Sequence, residues 1–230
     1  MSTLSPEEPV CFVSSHLDDV ALSCSHYLAD HQGTKVVTVM AGAPKIHPHD
    51  EWNSRTTGRS YAPDAIQVRK DEDTAAMRML GADPIWLELW DRSYLNGKSH
   101  GEYSIARELR PILMRDKAKS IVAPIGIRHS DHVAVSNACL RVARELQIEL
   151  YYYSDMPYAL EYPEEVKRRL DELSNSGLDI RQLDPIIPIS DVKKRVFSLY
   201  KSQCKAIRRN YATFKESMSA AEQYWQVFVK

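Results

Sequence analysis

Short apolar runs alternate with amphipathic segments along most of this chain, and this alternation constrains its fold more than any other feature. Strands that are apolar throughout and alternate with helices are typical of a mostly parallel sheet covered by helices on both faces. We therefore predict an α/β, Rossmann-like fold. The predicted strands are Val10–Ser14, Lys35–Met40, Ile85–Leu89, Ser120–Ala123 and Glu149–Tyr153.

The segments between the predicted strands have the apolar spacing of helices. The third of them contains Pro111, which predicts a kink or a later start in that helix. Beyond Tyr153 the chain is punctuated by prolines, and we predict an irregular C-terminal segment that includes one basic helix. The predicted helices extend, in order, over 20–28, Asp64–Leu80, Ser104–Asp116, 135–146 and Ser190–Tyr211.

We predict a single domain over residues 1–230, because one α/β domain of this length can still bury a large core. The connection from Ala41 to Pro63 contains no element that we can predict, and loops of that length in compact domains usually have a function. His47 and His49 in this loop have a spacing that could support a second metal site, but lining of a substrate site or no role is the simpler interpretation.

Charge and composition limit the classes of partner. Lys plus Arg total 30 and Asp plus Glu total 31, so no basic field indicates a nucleic-acid partner. No basic and apolar leader precedes Val10 and no apolar run approaches membrane-spanning length, which predicts a cytoplasmic protein without a membrane span. The cysteines are isolated within apolar stretches and are predicted to be buried free thiols. The sequence does not fix an oligomeric state and is compatible with a homo-oligomer.

Two polar clusters, His16–Asp19 and His129–His132, follow the first and the fourth predicted strands. The carboxyl ends of parallel strands meet at one edge of a sheet, so the two clusters should converge. Two histidines and one carboxylate form a set typical of catalytic zinc, which leaves one position open for water and makes that water reactive near neutral pH. A second carboxylate, with Asp18 suitably placed, could then move the proton.

Each residue of these clusters also has a structural explanation. Asp18 or Asp19 alone would more often cap a helix, and His129 or His132 at a helix start is more often a cap or a surface residue. The presence of two such clusters at two strand ends favours a metal-dependent hydrolase that cleaves an amide.

At these residues the sequence resembles the PIG-L/LmbE family of zinc-dependent deacetylases, which act on N-acetylglucosaminyl and related amides. The family's first motif, P-H-P-D-D, corresponds to Ser15–Asp19, and its second motif, H-x-D-H, is matched in full by His129–His132. The segment Arg69–Asp73, followed by Leu80-Gly81, is similar to the family's R-x-x-E-D…L-G helix. The resemblance extends from Val10 to about Gln203.

The resemblance implies a role for each of these side chains. One zinc ion per chain would be bound by His16, Asp19 and His132. Asp18 would act as general base and acid, His129 would stabilise the tetrahedral oxyanion, and Asp131 would orient His129. The substrate, a small N-acetylated sugar or sugar conjugate, would be contacted by Arg69, Asp91, Trp52 and Tyr94.

The first motif departs from the family pattern at four positions. Ser15 and Leu17 replace prolines, and Ser23 and Ser25 replace glycines at the start of the following helix. Serine side chains fill space that glycine leaves free, so we expect these changes to alter the shape of the substrate site near this turn.

Two alternatives stay open at the level of sequence. His16, Asp18 and His132 also satisfy the two-histidine, one-carboxylate pattern of non-haem iron oxygenases, although those enzymes usually have β-rich scaffolds. The altered first motif is compatible with a metal-binding or sugar-binding module that has lost catalysis. Retention of both Asp18 and His129 favours an enzyme, because binding alone needs neither a spare base nor a spare imidazole.

Overall fold

A seven-stranded sheet forms the centre of the computed structural model of this protein, which describes residues 3–45 and 51–228. The strands are β1 (Val10–Ser14), β2 (Lys35–Thr38), β3 (Asp83–Trp86), β4 (Ser120–Pro124), β5 (Glu149–Tyr153), β6 (Asp179–Gln182) and β7 (Tyr224–Phe228). Their order across the sheet is β3-β2-β1-β4-β5-β7-β6. The first five strands are parallel, and β7 pairs antiparallel with both β5 and β6.

Helices cover both faces of the sheet, which confirms the predicted fold class. They are α1 (Asp19–Ser23), α2 (Ser25–Asp30), α3 (Glu51–Thr57), α4 (Ala62–Leu80), α5 (Glu102–Arg115), α6 (Ser130–Leu146), α7 (Tyr158–Glu161), α8 (Pro163–Asn175), α9 (Val192–Phe197), α10 (Lys201–Asn210) and α11 (Phe214–Ser217). A short 3-10 helix covers Arg92–Leu95.

Alternate residues of β1 pack into two separate hydrophobic clusters, one on each face of the sheet, because successive side chains of a strand point to opposite faces. Phe12 packs in a cluster with the buried residues of α1, α2, α4 and α9. Cys11 and Val13 pack in the other cluster, with Ile105 of α5 and Val135 of α6. The sheet is therefore buried on both sides, as its continuous apolar strands require.

The polar edge of the sheet lies above β1 and β4. These strands are neighbours, yet the chain continues from β1 outward to β2 and from β4 outward to β5. Such a reversal opens a crevice at the carboxyl ends of the two strands, where open α/β sheets bind their ligands. His16, which follows β1, and His132, near the start of α6, meet at this crevice.

Several predicted boundaries differ from the structure. β3 begins at Asp83 rather than Ile85, and the predicted remainder continues only as isolated bridges, such as Met40 with Glu88. The helix containing Pro111 neither starts late nor stops there, since α5 runs from Glu102 through it. Pro111 is exposed, so water can hydrate the carbonyl that loses its helical donor.

The connection from Ala41 to Pro63 is not a structureless loop. It contains α3, and α4 already begins at Ala62. The predicted pair His47 and His49 lies outside the described residues.

The C-terminal region has more structure than predicted. The basic segment Ser190–Tyr211 forms two helices, α9 and α10, and the antiparallel strands β6 and β7 extend the sheet. Buried Glu222 fixes this region to α2 by accepting from the backbone N–H groups of His26 (2.8 Å) and Tyr27 (3.2 Å). These contacts join segments nearly 200 residues apart, which short-range periodicity cannot predict.

In the described ranges, 3–45 and 51–228, no helix is both long and apolar enough to cross a membrane. The four cysteines are free thiols, as predicted; Cys11, Cys24 and Cys139 are buried and Cys204 is half-buried.

Candidate active site

The turn between β1 and α1 presents three polar side chains to the crevice. It is held by its own hydrogen bonds: Ser14 Oγ donates to the His16 carbonyl (2.6 Å), and the His16 backbone N–H donates to Asp19 Oδ2 (2.7 Å). Asp18 occupies the position before α1 but makes no capping bond with its side chain. The capping interpretation of Asp18 is therefore not what the structure shows.

Three donor atoms meet in the crevice. His16 Nδ1 lies 3.2 Å from His132 Nε2, and Asp19 Oδ2 lies 3.4 Å from the former and 3.2 Å from the latter. Ligands about 2.0–2.2 Å from a tetrahedral ion are separated from each other by about 3.3 Å. The residues predicted to bind the metal are thus brought together at the spacing that a zinc-like ion requires.

His132 is oriented by Asp155, which follows β5. Its Nδ1 donates to Asp155 Oδ1 at 2.9 Å, and the other carboxylate oxygen accepts from the backbone N–H groups of Gly126 (2.8 Å) and Ile127 (3.2 Å). A carboxylate on one imidazole nitrogen leaves the lone pair on the other, so His132 Nε2 is ready to bind a cation.

His16 is oriented in the same way by two carboxylates. Its Nε2 lies 2.9 Å from Asp91 Oδ2 and 3.2 Å from Asp131 Oδ2, which also accepts from the backbone N–H of Arg92. The Asp131 carboxylate was predicted to orient His129, but it lies 3.9 Å from His129 Nδ1 and is closer to His16. Asp91, predicted to contact substrate, also has His16 as a partner.

The charges around the two histidines favour any cation at this locus. Burial alone would lower the pKa of His132, but the carboxylates of Asp19 and Asp155 raise it to about 10. The pKa of His16 is raised for the same reason by Asp131, Asp19 and Asp91, again against the effect of burial. Without a metal the site therefore binds protons, and metal binding must release them.

His129 caps α6, because its Nδ1 accepts from the backbone N–H of Asp131 at 3.3 Å. The ring packs edge-on against His16, with centroids 4.8 Å apart. Burial, together with the charges of His16 and His132, lowers the pKa of His129 to about 3. The ring is therefore neutral, with its proton on Nε2, and it can donate a hydrogen bond to an oxygen atom in the crevice.

Asp18 is paired with a buried arginine. Arg69 of α4 donates to Asp18 Oδ1 at 3.1 Å and to the side chain of Asn53 at 3.1 Å. Burial raises the pKa of the Asp18 carboxyl, with the nearby Asp19 charge adding to the rise and Arg69 opposing it. A carboxyl with a raised pKa is suited to accepting and returning a proton.

A cavity of about 430 Å³ opens above the three donor atoms. Among the predicted residues it is lined by His16, Asp18, Asp19, Trp52, Arg69, Asp91 and His129. Asp131 and His132 are fully buried beneath it. Tyr94 is not part of the lining. Its hydroxyl accepts from Asn53, whose side-chain oxygen accepts from Arg69.

The substituted positions of the first motif do not reach this cavity. Ser23 Oγ accepts from the backbone N–H of Met156 (3.2 Å), and Ser25 Oγ donates to the Ala21 carbonyl. Ser15 and Leu17 are buried as well, and none of the four positions belongs to the lining. The expectation that they reshape the substrate site directly is not supported.

Other groups of potential ligand atoms lie within 4.8 Å of one another: His16, His129 and His132, and also His16, Asp91, His129 and Asp131. In the second group the nearby atom of His16 is Nε2, which lies next to the carboxylates of Asp91 and Asp131. An ion bound there could not also be bound by Nδ1, because the two nitrogens point in different directions from the ring. His129 Nδ1 is occupied by its capping bond. The set around Nδ1 of His16 is therefore the better candidate metal site.

Sequence reasoning gave no role to several residues of this site. Asp155 lies two residues after β5, whose carboxyl end meets the same sheet edge as β1 and β4, so its position after a strand was a usable signal. The rest of the cavity lining comes partly from the C-terminal region and includes Arg92, Tyr158, Gln203, Ile207 and Tyr211. Only tertiary packing brings α10 to the cavity, and no local pattern indicates it.

Comparison with known structures agrees with this architecture. The zinc-inhibited form of teicoplanin deacetylase Orf2 is similar with a TM-score of 0.76 and 21% identity, over 95% of this chain and 97% of that one. A40926 pseudoaglycone deacetylase Dbv21 gives 0.72 and 23%, over 95% and 96%. N,N'-diacetylchitobiose deacetylase from Pyrococcus horikoshii gives 0.57 and 16%, over 95% and 83%. At these identities the likeness establishes the fold.

Family membership comes from the sequence itself. No curated protein sequence matches the chain. The model of the PIG-L family, described as GlcNAc-PI de-N-acetylase, matches residues 11–143, which is more than half of the 230 residues and includes both polar clusters. The parallel sheet and this match leave the oxygenase alternative without support. The chain belongs to the PIG-L family, whose description is that of a hydrolase acting on an amide bond.

Proposed function

We propose that this protein is a zinc-dependent deacetylase that removes the N-acetyl group from a sugar or sugar-like small molecule. One observation carries the proposal: His16 Nδ1, His132 Nε2 and Asp19 Oδ2 lie within 3.4 Å of one another, beside the Asp18 carboxylate.

The chemistry of the donor set fits a divalent ion. His132 Nδ1 and His16 Nε2 face carboxylates, so in the neutral rings the proton lies on those nitrogens. His16 Nδ1 and His132 Nε2 would then present lone pairs across a gap of 3.2 Å, next to the Asp19 oxygen. Three electron-rich atoms this close repel one another unless protons or a metal cation lie between them. When bound, the metal would polarise the amide carbonyl and make a water molecule reactive near neutral pH. Histidine and carboxylate ligands suit zinc, and they also suit iron or cobalt.

Asp18 would act as the general base and the general acid of the reaction. Its Oδ1 accepts from Arg69, which fixes the carboxylate at the cavity wall, and it adjoins Asp19 in the chain. From this position it would accept the proton of the attacking water and return it to the leaving amine. The raised pKa of Asp18 supports both transfers.

His129 would stabilise the oxyanion that forms on the carbonyl carbon. The neutral ring is held by its capping bond, so the Nε2–H group is available to the cavity. A fixed neutral donor stabilises developing negative charge without first losing a proton.

A sugar fits the remaining lining. Arg69 and Arg92 offer donors for hydroxyl groups, while Trp52, Tyr158 and Tyr211 offer apolar ring faces of the kind that pack against sugar rings. Diacetylchitobiose, the substrate named for one of the similar structures, is an N-acetylated sugar.

The test is acetate release by protein with a defined metal content. Metal-free protein would be reloaded separately with zinc, cobalt or iron at one equivalent, because one similar structure is described as zinc-inhibited and excess zinc could mask activity. N-acetylglucosamine and N,N'-diacetylchitobiose would serve as first substrates. We expect metal-dependent release that is lost in His132→Ala.

Two results would reject the proposal. Absence of acetate release from every N-acetyl sugar and amide conjugate, with all three metals, would favour a module that binds without catalysis. Release that persists in metal-free protein would exclude the metal-dependent chemistry.

A further inference from the structure

A second cavity, of about 460 Å³, lies between α3 and α10, and it is strongly basic. Arg55 contributes from α3, and Lys201, Lys205 and Arg209 contribute from α10. The remaining lining includes Thr56 and Asn210, and among the side chains that the structure describes it contains no acidic residue. We call this cavity the basic groove.

Within the part of the chain that the structure describes, no ion pair neutralises the cations of the basic groove. Over the described residues, none of the four lies within 4.0 Å of a carboxylate, whereas Lys194, Arg110 and Arg141 elsewhere on the surface all do. The neighbouring carboxylate of Glu72 instead accepts from the backbone N–H and the hydroxyl of Ser202. The whole chain has a net charge of −1, so this groove is a local concentration of positive charge.

Only one layer of side chains separates the basic groove from the candidate active site. Trp52 and Gln203 line the active-site cavity and are joined by a hydrogen bond from Trp52 Nε1 to Gln203 Oε1 (2.9 Å). Gln203 Nε2 donates in turn to the hydroxyl of Thr56, in the groove, at 3.4 Å. The Arg55 guanidinium lies 5.8 Å from the centre of the Trp52 ring.

The arrangement of the cations fits phosphate esters. Lys201, Lys205 and Arg209 recur every four residues, so they form one row about 12 Å long on α10, and Arg55 faces them from α3. Lys and Arg are the residues that recognise phosphate groups. A row of this length can contact more than one phosphate.

From this geometry we infer that the basic groove binds a phosphate or diphosphate group of the substrate while the N-acetylated sugar occupies the adjoining cavity. The inference rests on the proposed function and narrows the substrate to phosphorylated N-acetyl sugars or their conjugates. The main phosphate contacts would be Arg55, Lys205 and Arg209. Lys201 lies at the N-terminal end of the row, at the start of α10.

The first test measures binding without turnover. Inorganic phosphate and pyrophosphate would be titrated against the metal-loaded protein, the double variant Lys205→Gln/Arg209→Gln, and the control Lys167→Gln/Arg168→Gln. The control removes two cations from α8, an exposed helix outside both cavities. We expect roughly tenfold weaker binding in the groove variant and no change in the control, since each exposed ionic contact contributes modestly. Equal affinity in all three proteins would overturn the inference.

The second test compares N-acetylglucosamine with its 1-phosphate and its 6-phosphate. We expect a higher kcat/KM for a phosphorylated sugar, and we expect the ratio of phosphorylated to neutral kcat/KM to fall towards one in the groove variant but not in the control. A ratio near one in all three proteins would overturn the inference even if neutral sugars are deacetylated. Binding of phosphatidylglycerol vesicles through the groove, with no effect of soluble phosphate, would also overturn it in favour of a lipid surface. If no sugar is deacetylated but the variant still loses phosphate binding, the proposed function fails and the phosphate site stands.

Discussion

His16 Nδ1 and His132 Nε2 face each other across 3.2 Å, although the two residues are 116 positions apart in the chain. The metal-free site holds protons here, because the carboxylates raise the pKa of both rings. When a metal displaces those protons, the proton that each neutral ring keeps lies on the other nitrogen, next to carboxylates. The carboxylates of Asp155, Asp91 and Asp131 therefore favour the ring tautomers that can bind a cation at the facing nitrogens. This arrangement also implies that changes to residues outside the ligand set will alter metal affinity.

Asp155→Asn should weaken metal binding without removing a ligand. The backbone N–H groups of Gly126 and Ile127 need an acceptor, so the amide oxygen must face them and the amide NH₂ must face His132 Nδ1. His132 would then accept at Nδ1 and carry its proton on Nε2, where the metal would bind. We expect 10–100-fold weaker zinc affinity, measured by competition with a chromophoric chelator. Asp171→Asn, on the exposed surface of α8, is the control, and equal affinity in both variants would contradict the assigned tautomer.

Asp18→Asn should separate catalysis from metal binding. Asp18 does not belong to the three-atom set, so metal content should stay at the wild-type level, while loss of a general acid and base lowers kcat by roughly 10²–10⁴-fold. Metal analysis and acetate release on the same preparation provide the two readouts. Urea unfolding checks that Arg69, which loses a charged partner, still packs normally. Activity within twofold of the wild type would remove Asp18 from the mechanism.

The sequence was sufficient to predict the two polar clusters and the sheet edge at which they meet. β1 and β4 are continuous apolar runs followed at once by polar clusters, and parallel strands bring such clusters to one edge whatever the details of packing. The resemblance to the PIG-L/LmbE family then selected His16, Asp19 and His132 within those clusters.

The partners of those ligands could not be predicted in this way. Asp131 lies only two residues from His129, yet its carboxylate faces His16, because the capping bond of His129 uses the Asp131 backbone and leaves the side chain to point across the crevice. Tyr94 lies in the 3-10 helix that comes after β3, and its hydroxyl accepts from Asn53. Such directions depend on contacts between distant segments.

Gly126→Ala should destabilise both the fold and the metal site. Gly126 has a φ of +84°, and an added Cβ would lie 2.8 Å from Ser136 Cβ and 3.0 Å from the His132 carbonyl oxygen. The loop would have to move away from α6, carrying with it the N–H group that holds Asp155. Gly177→Ala is the matched control, because Gly177 has a φ of +90° with nothing within 4 Å of the added Cβ.

Both glycine variants should lose about 1–2 kcal/mol of unfolding free energy from backbone strain. We expect Gly126→Ala to lose a further 1–3 kcal/mol or so from the steric clash, and to lose zinc affinity as well. Urea denaturation and chelator competition measure the two effects. Equal stability of the two variants, with unchanged zinc binding, would show that the loop adjusts freely and that Asp155 does not depend on it.

Asp73 should make the stability of the protein fall between pH 4 and pH 7. Its carboxylate is buried and accepts from Trp86 Nε1 and from the Tyr200 hydroxyl, both at 2.7 Å. Burial raises its pKa from 3.8 to about 6, although these two hydrogen bonds oppose the rise. The folded state therefore binds this proton more tightly than the unfolded state. The associated stability is complete below pH 4 and is lost as the pH rises through 6.

Asp73→Asn removes this titration and can keep the geometry, since the amide oxygen can accept from Trp86 while the NH₂ group donates to the Tyr200 hydroxyl. The unfolding free energy of the variant minus that of the wild type should rise by roughly 1–3 kcal/mol between pH 4.5 and pH 7.5. Both proteins would be metal-free, so that the other titrating groups cancel in the difference. Tyr200→Phe removes a bond that favours the charged carboxylate, and it should shift the wild-type transition to higher pH. A difference that is constant across this range, together with no shift in Tyr200→Phe, would mean that Asp73 stays ionised in the core and that the hydrogen bonds outweigh burial.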